Sequence, residues 1–85
     1  MIAHVYKSLR QADAYLYLRA RDAFELVPEA VSARLGELAF VLEVALTPER
    51  RLARVDAALV REALAGPGWF VQLPPTAPPP ERADG

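Results

Sequence analysis

The chain has 85 residues, no cysteine, a single histidine and a formal net charge of -1. At this length one small domain forms, burying about 60% of the surface its unfolded chain exposes, and with disulfides and a Cys/His zinc site excluded its stability must come from packing. The near-neutral charge gives no general pull towards nucleic acid or acidic membranes. Its distribution is uneven: residues 1–21 carry Lys7, Arg10, Arg19 and Arg21 against Asp13, residues 22–49 carry six carboxylates against Arg34 alone, and the remainder is close to balanced. The longest apolar run, LAFVLEVAL at 38–46, contains Glu43 and is far short of the roughly 20 residues that span a bilayer. The opening MIAHVYKSLR lacks the charged and long apolar segments of a secretory leader, so a cytoplasmic location is expected.

Two β-favouring runs come first, IAHVYKS (2–8) and AYLYLRA (14–20), separated by polar LRQAD, which predicts a hairpin. Setting Tyr6 opposite Tyr17 gathers Val5, Leu16 and Leu18 on one face and leaves His4, Tyr6, Ser8, Tyr15, Tyr17 and Arg19 on the other. The segment DAFELVPEAVSARLG (22–36) places Phe24, Val27, Val31 and Leu35 on one helical stripe. Pro28 is expected in its first turn, Glu29 near the positive end of the dipole and Gly36 at the close, with Phe24 anchoring the approach to the helix. ELAFVLEVAL (37–46) is apolar on both alternating faces and reads as a central strand covered from two sides, stopped by Thr47 and Pro48.

RVDAALVREALAGPG (54–68) supplies a second helix. Val55, Leu59, Val60, Ala63 and Leu64 form its stripe, Arg54, Arg61 and Glu62 its wet side, and GPG its stop. Trp69–Leu73 is the closing strand. Pro74 lacks an N–H and restrains Leu73, so pairing ends there, and PPTAPPPERADG is expected to be a disordered, partly polyproline II tail. The expected fold class is α+β, a single small domain over residues 1–74 in the order β-β-α-β-α-β. Two helices flank a sheet in an α/β/α sandwich-like arrangement, with residues 75–85 as the tail. Crossover helices normally return the chain parallel to an earlier strand, so parallel pairing is expected around them.

In order along the chain, YKSLR, YLYL, FELVPEAV, RLG, RLARVD and above all GWFVQLPP resemble the YcgL family of small gammaproteobacterial proteins, from about Tyr6 to Pro75. The resemblance implies an α/β/α sandwich and assigns no biochemical activity. Leu35-Gly36-Glu37-Leu38 stands where the family commonly has Phe-Gly followed closely by proline, and Trp69-Phe70 where it has a tyrosine-rich aromatic pair.

Sites of chemistry are sparse. His4, Ser8 and Asp13 include the residue types of a nucleophilic triad but lack an elbow motif and a glycine-built oxyanion loop, so Ser8 is expected to cap backbone. One histidine, no cysteine and no DxDxDG-type loop leave no metal site to expect. Glu25 and Glu29 read as a solvated face at a helix start. With no GxxxxGK[ST] or GxGxxG, no nucleotide cofactor is expected, nor any other. The PxxP spacing of Pro75–Pro78 arises easily in a proline run.

A non-catalytic binding or adaptor protein for an unidentified protein partner is therefore expected. The alternative is an RNA-associated accessory protein, in which the hairpin tyrosines stack bases beside basic side chains. The expected contact region is Tyr6, Lys7, Ser8, Arg10, Tyr15, Tyr17 and Arg19, with Gln72 and Pro74 at the sheet's end as a second possibility.

Overall fold

The hairpin expected from the two opening runs is the centre of the molecule. In the computed structural model, which describes residues 1–47 and 56–73, β1 (Ile2–Ser8) pairs with β2 (Tyr15–Leu18). The flanking strands are β3 (Leu38–Ala45) on the β1 side and β4 (Trp69–Gln72) on the β2 side. The strand order is β3-β1-β2-β4, and every neighbouring pair is antiparallel, which corrects the expected parallel pairing. Helices still cross the sheet, but each returns the chain beside a strand running the opposite way.

Register corrects the hairpin reading by one residue. Tyr6 pairs with Leu16, and Val5 pairs with Tyr17. Tyr6 and Tyr17 therefore lie on opposite faces of the sheet, because in a strand adjacent side chains alternate sides. The aliphatic residues need not collect on one face, because each face has a helix to cover it. One layer packs Ala3, Val5, Tyr17, Val44 and Leu46 against Val60 and Leu64, and the other packs Tyr6, Ala14, Leu16 and Leu18 against Val27 and Leu35. The sandwich of a helix on each side of one sheet is as the sequence indicates.

Helix α2 (Ala57–Ala65) starts at Asp56, whose side chain accepts the Ala58 N–H at 2.8 Å, and ends at Gly66. Its buried stripe is Ala57, Val60 and Leu64. Leu59, expected in that stripe, is exposed, since it sits about 100° around the helix from Val60. Val60 and Leu64 are fully buried, each contributing about 1.5–3 kcal/mol. The expected helix residues Arg54 and Val55, the strand stop at Pro48, and Pro74 with the proline-rich tail lie outside the described residues.

The other helix begins one residue after the Pro28 expected in its first turn and closes at Gly36 as expected. A 3-10 turn (Phe24–Leu26) comes first, and α1 runs from Glu29 to Leu35. Val27 is extended, at φ -90° and ψ 128°, and so is Pro28, at φ -57° and ψ 144°. The proline ring disfavours helical geometry in the residue before it, so Val27 cannot join two helical turns into one helix. Pro28 is thus the cap before the helix rather than part of its first turn. Gly36 closes α1 at φ 68°, where a side chain would be strained.

Strand β3 is an edge strand, which overturns its expected central place. Phe40, Val41 and Leu42 are 40, 41 and 45% exposed. The doubly apolar pattern has a different cause. The pairing with β1 skips from Val5–Leu42 to Tyr6–Phe40, leaving Val41 as the extra residue of a β-bulge. The bulge reverses the alternation, so Leu38 and Phe40 fall on the Tyr6 side while Leu42 and Val44 fall on the Val5 side. Among the described residues, no helix is long and apolar enough to cross a membrane.

Candidate functional site

Ser8 is buried, and its hydroxyl organises a junction. It donates to the Leu35 carbonyl and accepts the N–H groups of Arg10 and Gln11 at 3.1 and 2.9 Å. One side chain thereby fastens the β1–β2 turn to the end of α1, as the capping expectation indicates, though in the interior rather than on the surface. The hydroxyl has spent its donor and both acceptor positions, so it is not poised as a nucleophile. Arg10 extends the same junction, donating through Nη1 to the Ala33 carbonyl at 2.8 Å.

The tyrosines serve each layer separately. Tyr6 donates to Asp22 Oδ1 at 3.0 Å and accepts the Asp22 N–H at 2.8 Å, which holds Asp22 at φ 61°. Its ring meets Phe24 and Phe40 edge-on, at centroid separations of 5.0 and 5.5 Å, and the Arg21 guanidinium lies 3.9 Å from the Phe40 ring centre. On the α2 side, Tyr17 packs edge-on against Phe70 and donates to Gln72 Oε1 at 2.7 Å. Burial, ahead of any other influence, pushes both phenols above their ordinary value.

The expected contact region is therefore divided. Tyr6 and Ser8 lie on the α1 side and are buried, whereas Tyr15, Tyr17 and Gln72 lie on the α2 side, with Lys7 paired opposite Tyr15 and exposed. Arg10 sits at the hairpin turn, and Arg19 follows the opposite end of β2, its N–H bonded to the Gly68 carbonyl at 3.1 Å. The structure unites Tyr17 with Gln72, from the two separate candidate groups, and assembles no continuous tyrosine platform. His4 Nδ1 comes within 3.3 Å of Glu43 Oε2 across the β1–β3 pair without the alignment of a hydrogen bond. Among the described residues, no three His, Cys, Asp or Glu side chains cluster as a metal ion requires.

The structure does form a concave surface that the sequence reading missed. A groove of about 240 Å³ lies between α1 and β4, lined by Val31, Leu35, Trp69, Val71 and Leu73, with Gln11 and Arg34 as its polar members. The helix covers the Tyr6–Leu16 centre and leaves the Trp69–Val71 row half-buried. The alternation of Trp69, Val71 and Leu73 was visible in the sequence, but the open side depends on which strands α1 covers.

Comparison with known proteins places this architecture. The YcgL domain model matches residues 3–75, nearly all of both layers and both edge strands. The chain belongs to the YcgL domain family. A YcgL domain-containing protein of Xanthomonas euvesicatoria is 59% identical over 76 residues, which cover 89% of this chain and 88% of the relative. One from Xanthomonas campestris is 58% identical over the same shares of the two chains. A YcgL domain-containing protein of Stenotrophomonas maltophilia is 43% identical, again over 89% of this chain and 88% of its own. The YcgL domain match stops at residue 75, a few residues beyond the strand that carries Trp69 and Val71.

Proposed function

We propose that this YcgL domain is a non-catalytic binding or adaptor protein that receives a segment of a protein partner in the groove between α1 and β4. The observation that carries the reading is the groove itself, an apolar concavity with two polar side chains at its margin. Sites of that make-up hold ligands by burying apolar surface and use a few polar groups for orientation. The hydroxyl of Ser8 is fully engaged in structure, which supports a binding role over turnover at that residue. Relatives from Xanthomonas and Stenotrophomonas support a bacterial setting, and the reading places the work in the cytoplasm.

The RNA reading draws less support. A stacking platform needs several aromatic faces on one open surface, while Tyr6 and Tyr17 face opposite layers and are buried. Lys7 and Arg10 remain exposed near the hairpin turn.

Site-specific photo-crosslinking separates the two. A benzophenone side chain placed at Gln11, beside the groove, is compared with one at Leu59, exposed on α2 across the sheet. The expected result is a discrete, nuclease-resistant protein adduct from position 11 and none from position 59. Equal labelling from both positions, or adducts destroyed by nuclease, would refute the groove as a protein-binding surface.

A further inference from the structure

Resting on the groove as the binding surface, we infer that its occupant is an extended acidic peptide, which adds as a strand along β4 and seats an apolar side chain beside Trp69. Strand β4 ends the sheet, and among the described residues its outer edge pairs with no other strand. That edge offers a row of backbone donors and acceptors, the requirement for strand addition. Trp69, Val71 and Leu73 are spaced two apart and line the groove together. A strand laid alongside directs its own alternate side chains the same way, so an apolar residue enters the groove and the residue two positions along lies over its margin.

The margin specifies charge. Among the described residues, Arg34 is the one charged side chain lining the groove, and no carboxylate lies within ion-pair distance of it. Nor is Arg34 needed to satisfy the end of its own helix. The Ser32 carbonyl accepts from Gly36 N–H, the Ala33 carbonyl from Arg10 and the Leu35 carbonyl from Ser8. Its guanidinium is thus available to a carboxylate of the incoming strand, in the paired geometry that arginine favours. The peptide is one with an apolar residue and an aspartate or glutamate two positions apart. The chain's own PPTAPPP is poorly suited, since it has no large apolar side chain and its prolines cannot donate to a strand edge.

The test is selection of phage-displayed random dodecapeptides on the full-length chain and on Arg34→Glu, whose fold is checked by circular dichroism. The expected result is enrichment of apolar-x-acidic peptides on the wild-type chain. Synthetic copies should shift the emission of Trp69, the single tryptophan. They should bind Arg34→Glu about tenfold or more weakly, the size of a lost charge-assisted hydrogen bond. N-methylation of alternate backbone nitrogens that face β4 should abolish binding, while methylation of the intervening ones should not. Enriched peptides that shift Trp69 but lack a carboxylate, or resemble this chain's proline run, or ignore Arg34→Glu, would overturn the acidic-strand inference while leaving the groove reading standing. Failure to enrich any peptide that shifts Trp69 would overturn both.

Discussion

Replacing Ser8 with alanine removes a hydroxyl that holds three backbone groups from two parts of the chain. The Leu35 carbonyl loses its side-chain donor in a buried setting, and the N–H groups of Arg10 and Gln11 lose their acceptor in a partly buried one. A buried polar group left without a partner costs about 1–3 kcal/mol, and the two N–H groups, nearer water, add a fraction of the usual 0.5–1.5 kcal/mol each. The expected loss is about 2–4 kcal/mol, against a total of about 4–13 kcal/mol for a domain of this size. At roughly 4–8 °C per kcal/mol, Tm should fall by about 10–30 °C. Urea unfolding followed by circular dichroism and by Trp69 emission measures the change, with an unaltered slope showing that compactness is preserved. Ser32→Ala is the control, because the Ser32 hydroxyl makes no hydrogen bond among the described residues. If Ser8→Ala stays within about 0.5 kcal/mol of the wild-type chain, the junction is not what fastens α1 to the hairpin.

Three further outcomes are expected. Gly36→Ala should destabilise by at least about 1–2 kcal/mol, since φ is 68° and the added Cβ would lie 2.9 Å from Arg10 Nε; equal urea midpoints would contradict this. Because Tyr6 and Tyr17 hold their protons more tightly when folded than unfolded, their contribution is complete below about pH 10 and is lost as pH rises through the higher folded values. Urea midpoints from about pH 9 upwards should fall on the alkaline side, less steeply in Tyr17→Phe. Val41→Lys, at the exposed bulge, should change stability by no more than about 0.5 kcal/mol, whereas Leu64→Ala should cost about 2–5 kcal/mol; a severe loss from Val41→Lys would restore β3 to the interior.

Much of this fold was legible before any coordinates. Alternation located all four strands, and Gly36 and the GPG stop located the helix ends, because these signals depend on residues next to one another in the chain. What was misread depends on partners. The doubly apolar run at 38–46 suggested an interior strand, yet a one-residue bulge at Val41 distributes the same side chains between two faces of an edge strand. The hairpin register was assigned to collect Val5 with Leu16 and Leu18, a sound criterion only for a sheet with one covered face. Pro28 located the start of the helix in the 22–36 segment to within a residue, whereas the 3-10 turn at Phe24–Leu26 was not foreseen. The groove was not legible, because it depends on which part of the sheet α1 covers, a matter of packing between distant segments. Of the site residues, the tyrosines were chosen for their chemistry, but their facing is a property of pairing.

The alternation of Tyr6 and Tyr17 onto opposite layers decides which surface is available for recognition, and aromatic nuclear Overhauser effects measure it directly. The expected spectrum links the Tyr6 ring to Phe24 and Phe40, and the Tyr17 ring to Phe70. Cross-peaks joining the rings of Tyr6 and Tyr17 would contradict it, returning the hairpin to the slipped register and the tyrosines to a shared face.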